Sequence, residues 1–333
     1  MKQQVSIVIP TWNGRELLER FLPSVLKALE AYPGGGEVLV VDDGSTDGTD
    51  GFMQEDRHGF HGIRTLCLGV NLGFARAVNR GVIEAVHDVV ILLNNDVEVS
   101  EDFIEPLVRH FDNPGIFGVC ARSLDWDRVT FRDGGKVGNW KRGFWRVWRN
   151  YDRAENVSPQ PPSEPLPTFY CPGGFSAFDR QKWLELGGFD ELFSPFNWED
   201  TDICYRALKR GWNLVYEPKA TVFHRPNTTI GLSFRRMFVR YISRRNRLLF
   251  HWKNLTEPAM LAGHLLFAAL SLPISLLRLD PVSAAAVFGA LRYLPQVRRR
   301  RAVEKAQAKV KDSQIREFYR GVPPEGDKGL VLK

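Results

Sequence analysis

Apolar positions fall into short β-branched runs separated by stretches of helical spacing. Val5-Ser6-Ile7-Val8-Ile9 is one such run, ended by Pro10, and Glu37-Val38-Leu39-Val40-Val41, Ile63 to Leu68 and Val89-Val90-Ile91-Leu92-Leu93 are the next three. Continuous runs of this length predict strands buried on both faces. Between them, Leu17, Leu18, Phe21, Leu22, Val25, Leu26 and Leu29 recur at helical spacing, which predicts a helix over 16–29 that Pro33-Gly34-Gly35-Gly36 stops. Phe74 to Val86 and Phe103 to Phe111 read as further helices. The order βαβαβαβ predicts a mostly parallel sheet with helices on both faces and a ligand crevice at the strands' carboxyl ends.

Acidic and amide residues stand at those ends. Asp42-Asp43 follows the second run, Asn94-Asn95-Asp96 the fourth, and Trp198-Glu199-Asp200-Thr201-Asp202 forms a third cluster further on. Pro10-Thr11-Trp12-Asn13-Gly14, after the first run, has neither the GxGxxG nor the GxxxxGK[ST] spacing, which argues against dinucleotide and P-loop phosphate cradles. Asp43 lies in the turn-rich stretch 42–49, where it either accepts hydrogen bonds from a nucleoside or closes an Asx turn. Ile203, Ala207 and Leu208 continue from the third cluster at helical spacing. Asp200 is therefore expected near a helix amino terminus, where the dipole favours its ionised form by ~0.3–1 kcal/mol.

Composition narrows the class. The 333 residues, 44% hydrophobic and 25% charged, describe an ordered globular chain. Cys67, Cys120, Cys171 and Cys204 are scattered without CxxC spacing, which indicates neither a zinc site nor a disulfide scaffold. The run after Met1-Lys2-Gln3-Gln4 is too short and too β-branched for a signal peptide, so a cytoplasmic setting is expected. The net charge of +6 conceals a division: residues 1–224 carry 24 Lys+Arg against 32 Asp+Glu, and residues 225–320 carry 19 against 5. An acidic body of net −8 thus precedes a basic tail of net +14, with a boundary near Arg225-Pro226.

Within the tail, Phe234 to Lys253 interleaves Arg235, Arg236, Arg240, Arg244, Arg245, Arg247 and Lys253 with aromatic and aliphatic residues and holds no acid. Ala259 to Leu277 follows, 19 residues without Asp, Glu, Lys or Arg, just long enough to span a bilayer. Gly263, His264, Ser271, Pro273 and Ser275 weaken a span, so a helical hairpin in the membrane interface is at least as good a reading, and a soluble helix pair is the third. Residues 234–311, including Arg298 to Arg301, are expected to meet an anionic membrane surface at the cytoplasmic face. Nucleic acid is not expected, because the body is acidic and carries no binding motif. Trp140, Trp145 and Trp148 alternate with Lys141, Arg142, Arg146 and Arg149, a mixture suited to a sugar, a lipid diphosphate or a membrane surface. Ser158 to Pro167 holds five prolines and reads as an extended loop.

Taken in order, residues 5–14, 40–47, Asn71-Leu72-Gly73-Phe74-Ala75-Arg76-Ala77-Val78-Asn79-Arg80-Gly81, 93–98, Gly173-Gly174-Phe175, Gly187 to Glu191, 198–202 and His224 resemble the family 2 inverting glycosyltransferases of GT-A fold, rhamnosyltransferase-like bacterial members among them. The resemblance covers roughly residues 5–250. It implies a Rossmann-like α/β catalytic domain over 1–225, with a nucleotide-binding half to about 98 and an acceptor half after it, and a helical, basic, membrane-associating region over 226–333.

It also implies roles. Pro10, Thr11, Asn13 and Asp43 would face the nucleoside, and Asn71, Gly73, Arg76 and Asn95 the donor's nucleotide or diphosphate; Gly73 and Asn79 serve helix entry and packing equally well. Asn94-Asn95-Asp96 occupies the place of the family's DxD motif, with asparagines in front of the aspartate. Asp96, helped by His224, would hold Mg²⁺ or Mn²⁺ against the donor diphosphate. Asp200 would be the general base, with Glu199 orienting it or touching the acceptor. Gly173, Gly174, Trp198 and Asp202 would line the acceptor side; for Asp202, capping the helix is at least as good a reading. The implied reaction moves a sugar from dTDP-rhamnose or a UDP-hexose to a lipid-linked or polysaccharide hydroxyl. A sugar nucleotidyltransferase would want a basic glycine-rich loop after the first strand, and a glycan-binding pseudoenzyme would be favoured if the reduced DxD motif could not hold metal.

Overall fold

The computed structural model describes residues 3–54, 62–151, 162–224, 235–277 and 279–322. The boundary expected at Arg225-Pro226 and the first part of the proline-rich segment lie outside these residues.

The amino-terminal half follows the predicted alternation. Strands β1 (Val5–Thr11), β2 (Gly36–Asp42), β3 (Ile63–Cys67) and β4 (Val89–Leu93) are separated by helices α1 (Arg15–Ala31), α2 (Thr49–Gln54) and α3 (Phe74–Glu84). They pair in parallel in the order β3-β2-β1-β4, so the order reverses between β1 and β4, where the carboxyl ends open a crevice. β1 does not stop at Pro10. It runs on to Thr11, because β4 pairs only with Val5 to Val8 and the amide that proline lacks falls where β1 has a neighbour on one side alone.

The rest of the sheet is mixed rather than mostly parallel. β5 (Val97–Val99), α4 (Ile104–Val108) and a 3-10 turn over Arg109–Asp112 lead to β6 (Ile116–Leu124) and the short β7 (Phe131–Asp133). A hairpin of β8 (Lys136–Lys141) and β9 (Phe144–Asn150) stands as a separate sheet, followed by β10 (Leu166–Pro167), β11 (Phe175–Asp179) and α5 (Arg180–Leu186). α6 (Glu199–Lys209) and β12 (Asn213–His224) complete the layer. β11 lies antiparallel between β4 and β6, joining the two halves, while β12 runs parallel to β6 and antiparallel to β5 and β10. An apolar run carries no strand direction, so this reversal was not readable from the sequence.

The basic tail folds back onto the body. It forms α7 (Arg236–Asn254), α8 (Pro258–Leu277), α9 (Pro281–Leu291), α10 (Leu294–Gln307) and α11 (Asp312–Gly321). Leu248, Leu249, Phe250, Val297, Ile315 and Tyr319 share one core with Trp145, Phe169, Tyr205 and Leu208. Burying each aliphatic or aromatic side chain of this kind contributes ~1.5–3 kcal/mol. Several tail charges are internal too: Arg245, Lys253 and Asp312 are buried, and Asp312 accepts from Tyr205 Oη and Lys209 Nζ at 2.8 Å each and from the amides of Thr256 and Glu257. The expectation that Arg245 and Lys253 face a membrane is therefore corrected. Their partners lie in the body, beyond the reach of a local reading.

α8 differs from its neighbours. Leu265, Leu266, Phe267, Leu270 and Ile274 are exposed, as are Phe288 and Leu291 on α9. Pro258–Ser275 is long and apolar enough to cross a membrane.

Candidate active site

A cavity of about 570 Å³ opens where β1 and β4 diverge. Its walls come from the three polar clusters: Pro10, Thr11 and Asp43 at the ends of β1 and β2, Asn94, Asn95 and Asp96 at the floor after β4, and Glu199 and Asp200, which open α6 instead of following a strand as expected. Gly173 and Gly174 close it above Asn94. A Cβ on Gly174 would lie 2.4 Å from Asn94 Nδ2, so any larger residue here would have to displace the Asn94 side chain from the floor.

On the side where a nucleotide is expected, buried Asp43 accepts from the amides of Leu72 at 2.7 Å and Gly73 at 2.8 Å. Burial raises its pKa, and these two amides oppose the shift. Asp43 thus fixes the loop that carries Asn71 into the cavity. Gly73 has φ +88° as it starts α3, a conformation that favours glycine, and it both lines the cavity and begins the helix. Asn95 Nδ2 donates to Thr11 Oγ1 at 2.8 Å across the β1–β4 gap. Two residues expected at the donor stand outside the lining. Arg76 pairs with Glu191 at 2.7 Å on the outer face of α3, and Asn13 accepts from the amide of Thr46, holding the neighbouring loop. Asn79 brackets both backbone groups of Phe189 at 2.8 Å, a packing role.

Asp96 is buried on the floor, and His224, at the end of β12, brings Nε2 to 3.3 Å from its Oδ1. The β5–β12 ladder creates this meeting by setting Val97 opposite His224. Among the described residues no group of three or more His, Cys, Asp or Glu gathers in a form that would hold a metal ion. A carboxylate and an imidazole are suitable first ligands, and Mg²⁺ or Mn²⁺ bound to a nucleotide draws its remaining ligands from phosphate oxygens and water.

The acid pair sits on a strained loop. Asn197 and Trp198 both adopt left-handed φ, +69° and +80°, immediately before α6, at a cost of about 1–3 kcal/mol each for non-glycine residues. Buried Asn246 on α7 holds them there, its Nδ2 converging on the carbonyls of Phe193, Phe196 and Asn197. Glu199 is buried, and its Oε2 makes no hydrogen bond among the described residues. Burial, with the neighbouring Asp200 charge, pushes its pKa up to about 8. Burial also raises Asp200, against the opposing effects of the Thr201 amide, 2.6 Å from Oδ1, and the Lys136 ammonium. The expectation that the helix end would favour ionised Asp200 is thereby corrected: desolvation outweighs a dipole worth ~0.3–1 kcal/mol.

Asp202 is corrected as well. It is fully buried on the far side of α6, where it binds Arg206 Nε at 2.8 Å, Lys253 Nζ at 2.8 Å and Asn254 Nδ2 at 2.7 Å. Sequence reasoning did not find Lys136, Asn246 or Arg247 near the site, because all three arrive by long-range packing. Trp198 packs at a tilt against Phe250, ring centroids 5.1 Å apart, and lines a second, adjoining cavity.

The profile of glycosyl transferase family 2 matches residues 6–183, which carry β1 to β11 and most of the cavity's floor. The chain belongs to this family. It is a glycosyltransferase, and its neighbours in sequence agree: it is 30% identical over 255 residues to the N-acetylglucosaminyl-diphospho-decaprenol L-rhamnosyltransferase of Mycobacterium tuberculosis, a match covering 69% of this chain and 79% of that one. Among solved structures, GalNAc-T7 with UDP, GalNAc and Mn²⁺ superposes with a TM-score of 0.57 at 20% identity, covering 77% of this chain and 49% of that one. A mannosyltransferase from Pyrobaculum calidifontis in complex with GDP-Man and Mn²⁺ gives 0.54 at 17% identity, covering 92% and 86%. These two likenesses establish a shared GT-A fold.

Proposed function

We propose that this glycosyltransferase moves a sugar, with inversion, from a nucleoside-diphosphate donor, dTDP-rhamnose or a UDP-hexose, to a hydroxyl of a lipid-linked saccharide at the cytoplasmic face of a membrane. The observation that carries the reading is the convergence of Asp43, Asp96 and the Glu199–Asp200 pair on one cavity. The relative's named acceptor, a sugar on a decaprenyl diphosphate, supports the lipid-linked class.

The nucleoside rests against Pro10 and Thr11, with the loop fixed by Asp43 presenting Asn71. Asp96 and His224 would hold Mg²⁺ or Mn²⁺, either of which would neutralise charge on a departing diphosphate; both structural neighbours contain Mn²⁺. Asp200 acts as the base. Its carboxylate takes the acceptor's hydroxyl proton as that oxygen bonds the anomeric carbon, while the bond from that carbon to the diphosphate oxygen breaks and the nucleoside diphosphate leaves. Glu199 retains its proton below about pH 8, which limits the pair to one negative charge while Asp200 works. Gly173 and Gly174 leave the backbone close to the reacting sugar. The exposed apolar face of α8, with α9 beside it, rests in the membrane interface and keeps the cavity near a lipid-borne acceptor.

Incubation with UDP-, dTDP- and GDP-sugars in Mn²⁺ or Mg²⁺, read as donor hydrolysis and as transfer to a membrane lipid fraction, tests this function. Turnover of at least one donor is expected, abolished in Asp200→Asn with nucleotide binding preserved. Retention of turnover within about tenfold in that variant would remove Asp200 as the base.

A further inference from the structure

The Glu199–Asp200 pair is a wall common to two cavities. Behind it, on the side away from the nucleotide, lies a second cavity of about 490 Å³, with Tyr170 and Trp198 on one flank, Arg146 and Val147 of β9 on another, and Ser243 and Arg247 of α7 completing it. Asn197, Glu199 and Asp200 line both. A hydroxyl that reaches Asp200 without crossing the donor must come from this second side.

Its cations are arranged for an anion. Arg247 is partly buried over the Phe144 ring, with its carbon 4.4 Å from the centroid, and its guanidinium donates to the Trp145 carbonyl at 3.5 Å; among the described residues neither it nor Arg146 forms an ion pair with a carboxylate. Burial and the nearby Arg146 charge lower Arg247 to about 10. Two guanidiniums that penalise one another are relieved by a shared phosphate, which their forked donors match.

The placement is built rather than accidental. His251, buried and with its pKa pushed well down by burial, accepts from the amide of Trp145 at 2.8 Å through Nε2 while Nδ1 meets the Arg247 carbonyl at 2.6 Å. One neutral imidazole therefore fastens the residue beside Arg146 to Arg247 itself. Stacked on it at 4.7 Å, His264 of α8 bonds the carbonyl of Gly143 at 2.8 Å, and a Cβ on Gly143 would sit 2.9 Å from the Gly263 carbonyl oxygen. The hairpin turn next to Arg146 is thus seated on the helix whose Leu265, Leu266 and Phe267 are exposed.

We infer that Arg146 and Arg247 form the acceptor's phosphate subsite: the second cavity binds a saccharide carried on a lipid diphosphate, with the diphosphate on the two guanidiniums and the lipid directed along α8. This rests on the proposed function and adds to it the residues that recognise the acceptor and the side from which it enters. Charge and apolar surface adjoin in one path, which a free polysaccharide would not use.

The test employs the full chain in detergent micelles with EDTA, titrating farnesyl diphosphate, farnesol and inorganic pyrophosphate against tryptophan fluorescence, with UDP and dTDP titrated separately in Mn²⁺. Farnesyl diphosphate should bind the parent, and Arg146→Gln and Arg247→Gln should each weaken it by about tenfold or more while melting temperature and nucleotide binding hold. Arg247→Lys should recover part of the loss, since it keeps the charge but not the fork. Parental affinity for farnesyl diphosphate in both glutamine variants would overturn the subsite, and equal affinity for farnesol would assign the binding to the tail alone and overturn it too. Pyrophosphate binding as tightly as farnesyl diphosphate would overturn the lipid-linked ligand. A parent that binds neither nucleotide would instead fail the proposed function, a result distinct from all of these.

Discussion

The side-chain amide of Asn246 lies 2.9 Å from the carbonyl oxygen of Asn197, joining α7 to the left-handed pair that precedes Glu199. A residue from the basic tail therefore sets the backbone that aims the acid pair. Asn246→Ala leaves the carbonyls of Phe193, Phe196 and Asn197 without this donor, at about 1–3 kcal/mol for an unsatisfied buried group. We expect urea denaturation to show a loss of that size, with kcat falling while nucleotide affinity stays within about twofold, because Asp43 and its loop are untouched. Nucleotide binding lost in step with kcat would point to general unfolding instead.

Asp200 and Asp202 are two positions apart and answer to different physics. Asp200→Asn should remove the proposed general base, about 10²–10⁴ in kcat, with little change in stability. Asp202→Asn leaves Lys253 and Arg206 buried beside a neutral amide, and breaking such pairs costs about 3–5 kcal/mol. Denaturation midpoints and kcat measured on both variants should therefore change in opposite proportion.

The strands and their polar ends were legible because a strand buried on both faces has to be a continuous apolar run, and the residue after it has to meet the crevice. Asp43 and Asp96 follow from that rule alone, whereas Asp200 opens α6 and was reached only through the resemblance. Arg245, Asn246 and Lys253 were not legible. In the sequence they belong to a basic amphipathic stretch like any surface helix, and only the return of α7 to Asp190, Phe193 and Asp202 makes them internal. Asp202 was hidden for the same reason, since a first-turn acid looks alike whether it faces water or a buried lysine. The antiparallel β11 was unreadable because Phe175 to Asp179 would show the same pattern in either direction.

Glu199 offers a pH test with a definite sign. Its folded pKa of about 8 lies above the ordinary 4.5, so between those values the folded state keeps a proton that the unfolded chain has released. Stability then falls as pH rises through this window. Glu199→Gln cannot release that proton, and its stability relative to the parent should improve from pH 5 to pH 9 by more than about 1.4 kcal/mol, the worth of one pKa unit. A constant difference across that range would show that Glu199 ionises freely in the fold.

Asp96 and His224 can be examined through metal dependence. With the two side chains 3.3 Å apart, Asp96→Ala and His224→Ala should each weaken Mn²⁺-supported nucleotide binding by about tenfold or more, and the double variant little further if both serve one ion. Nucleotide affinity measured with Mn²⁺ and with EDTA separates this from a loss of packing, which would lower both equally. Unchanged Mn²⁺ titrations in both variants would take the metal away from this floor.

The proposed membrane attachment has to be probed by point substitution, because α10 and α11 are part of the core: removing them would strand Lys209, Tyr205 and Arg210 without Asp312 and Glu304. Leu266 and Leu270 lie one turn apart on the exposed face of α8, and neither is in the core. Leu266→Glu with Leu270→Glu should leave the melting temperature within a few degrees. It should also lower co-flotation with vesicles containing phosphatidylglycerol by about tenfold or more, since two apolar side chains worth ~1.5–3 kcal/mol each on burial are replaced by charges that anionic lipid repels. Transfer to a lipid acceptor should drop with flotation, while donor hydrolysis to water continues at the parental rate, because Asp43, Asp96 and Asp200 are unaltered. Flotation equal to the parent's would place the attachment elsewhere on the chain and separate α8 from acceptor delivery.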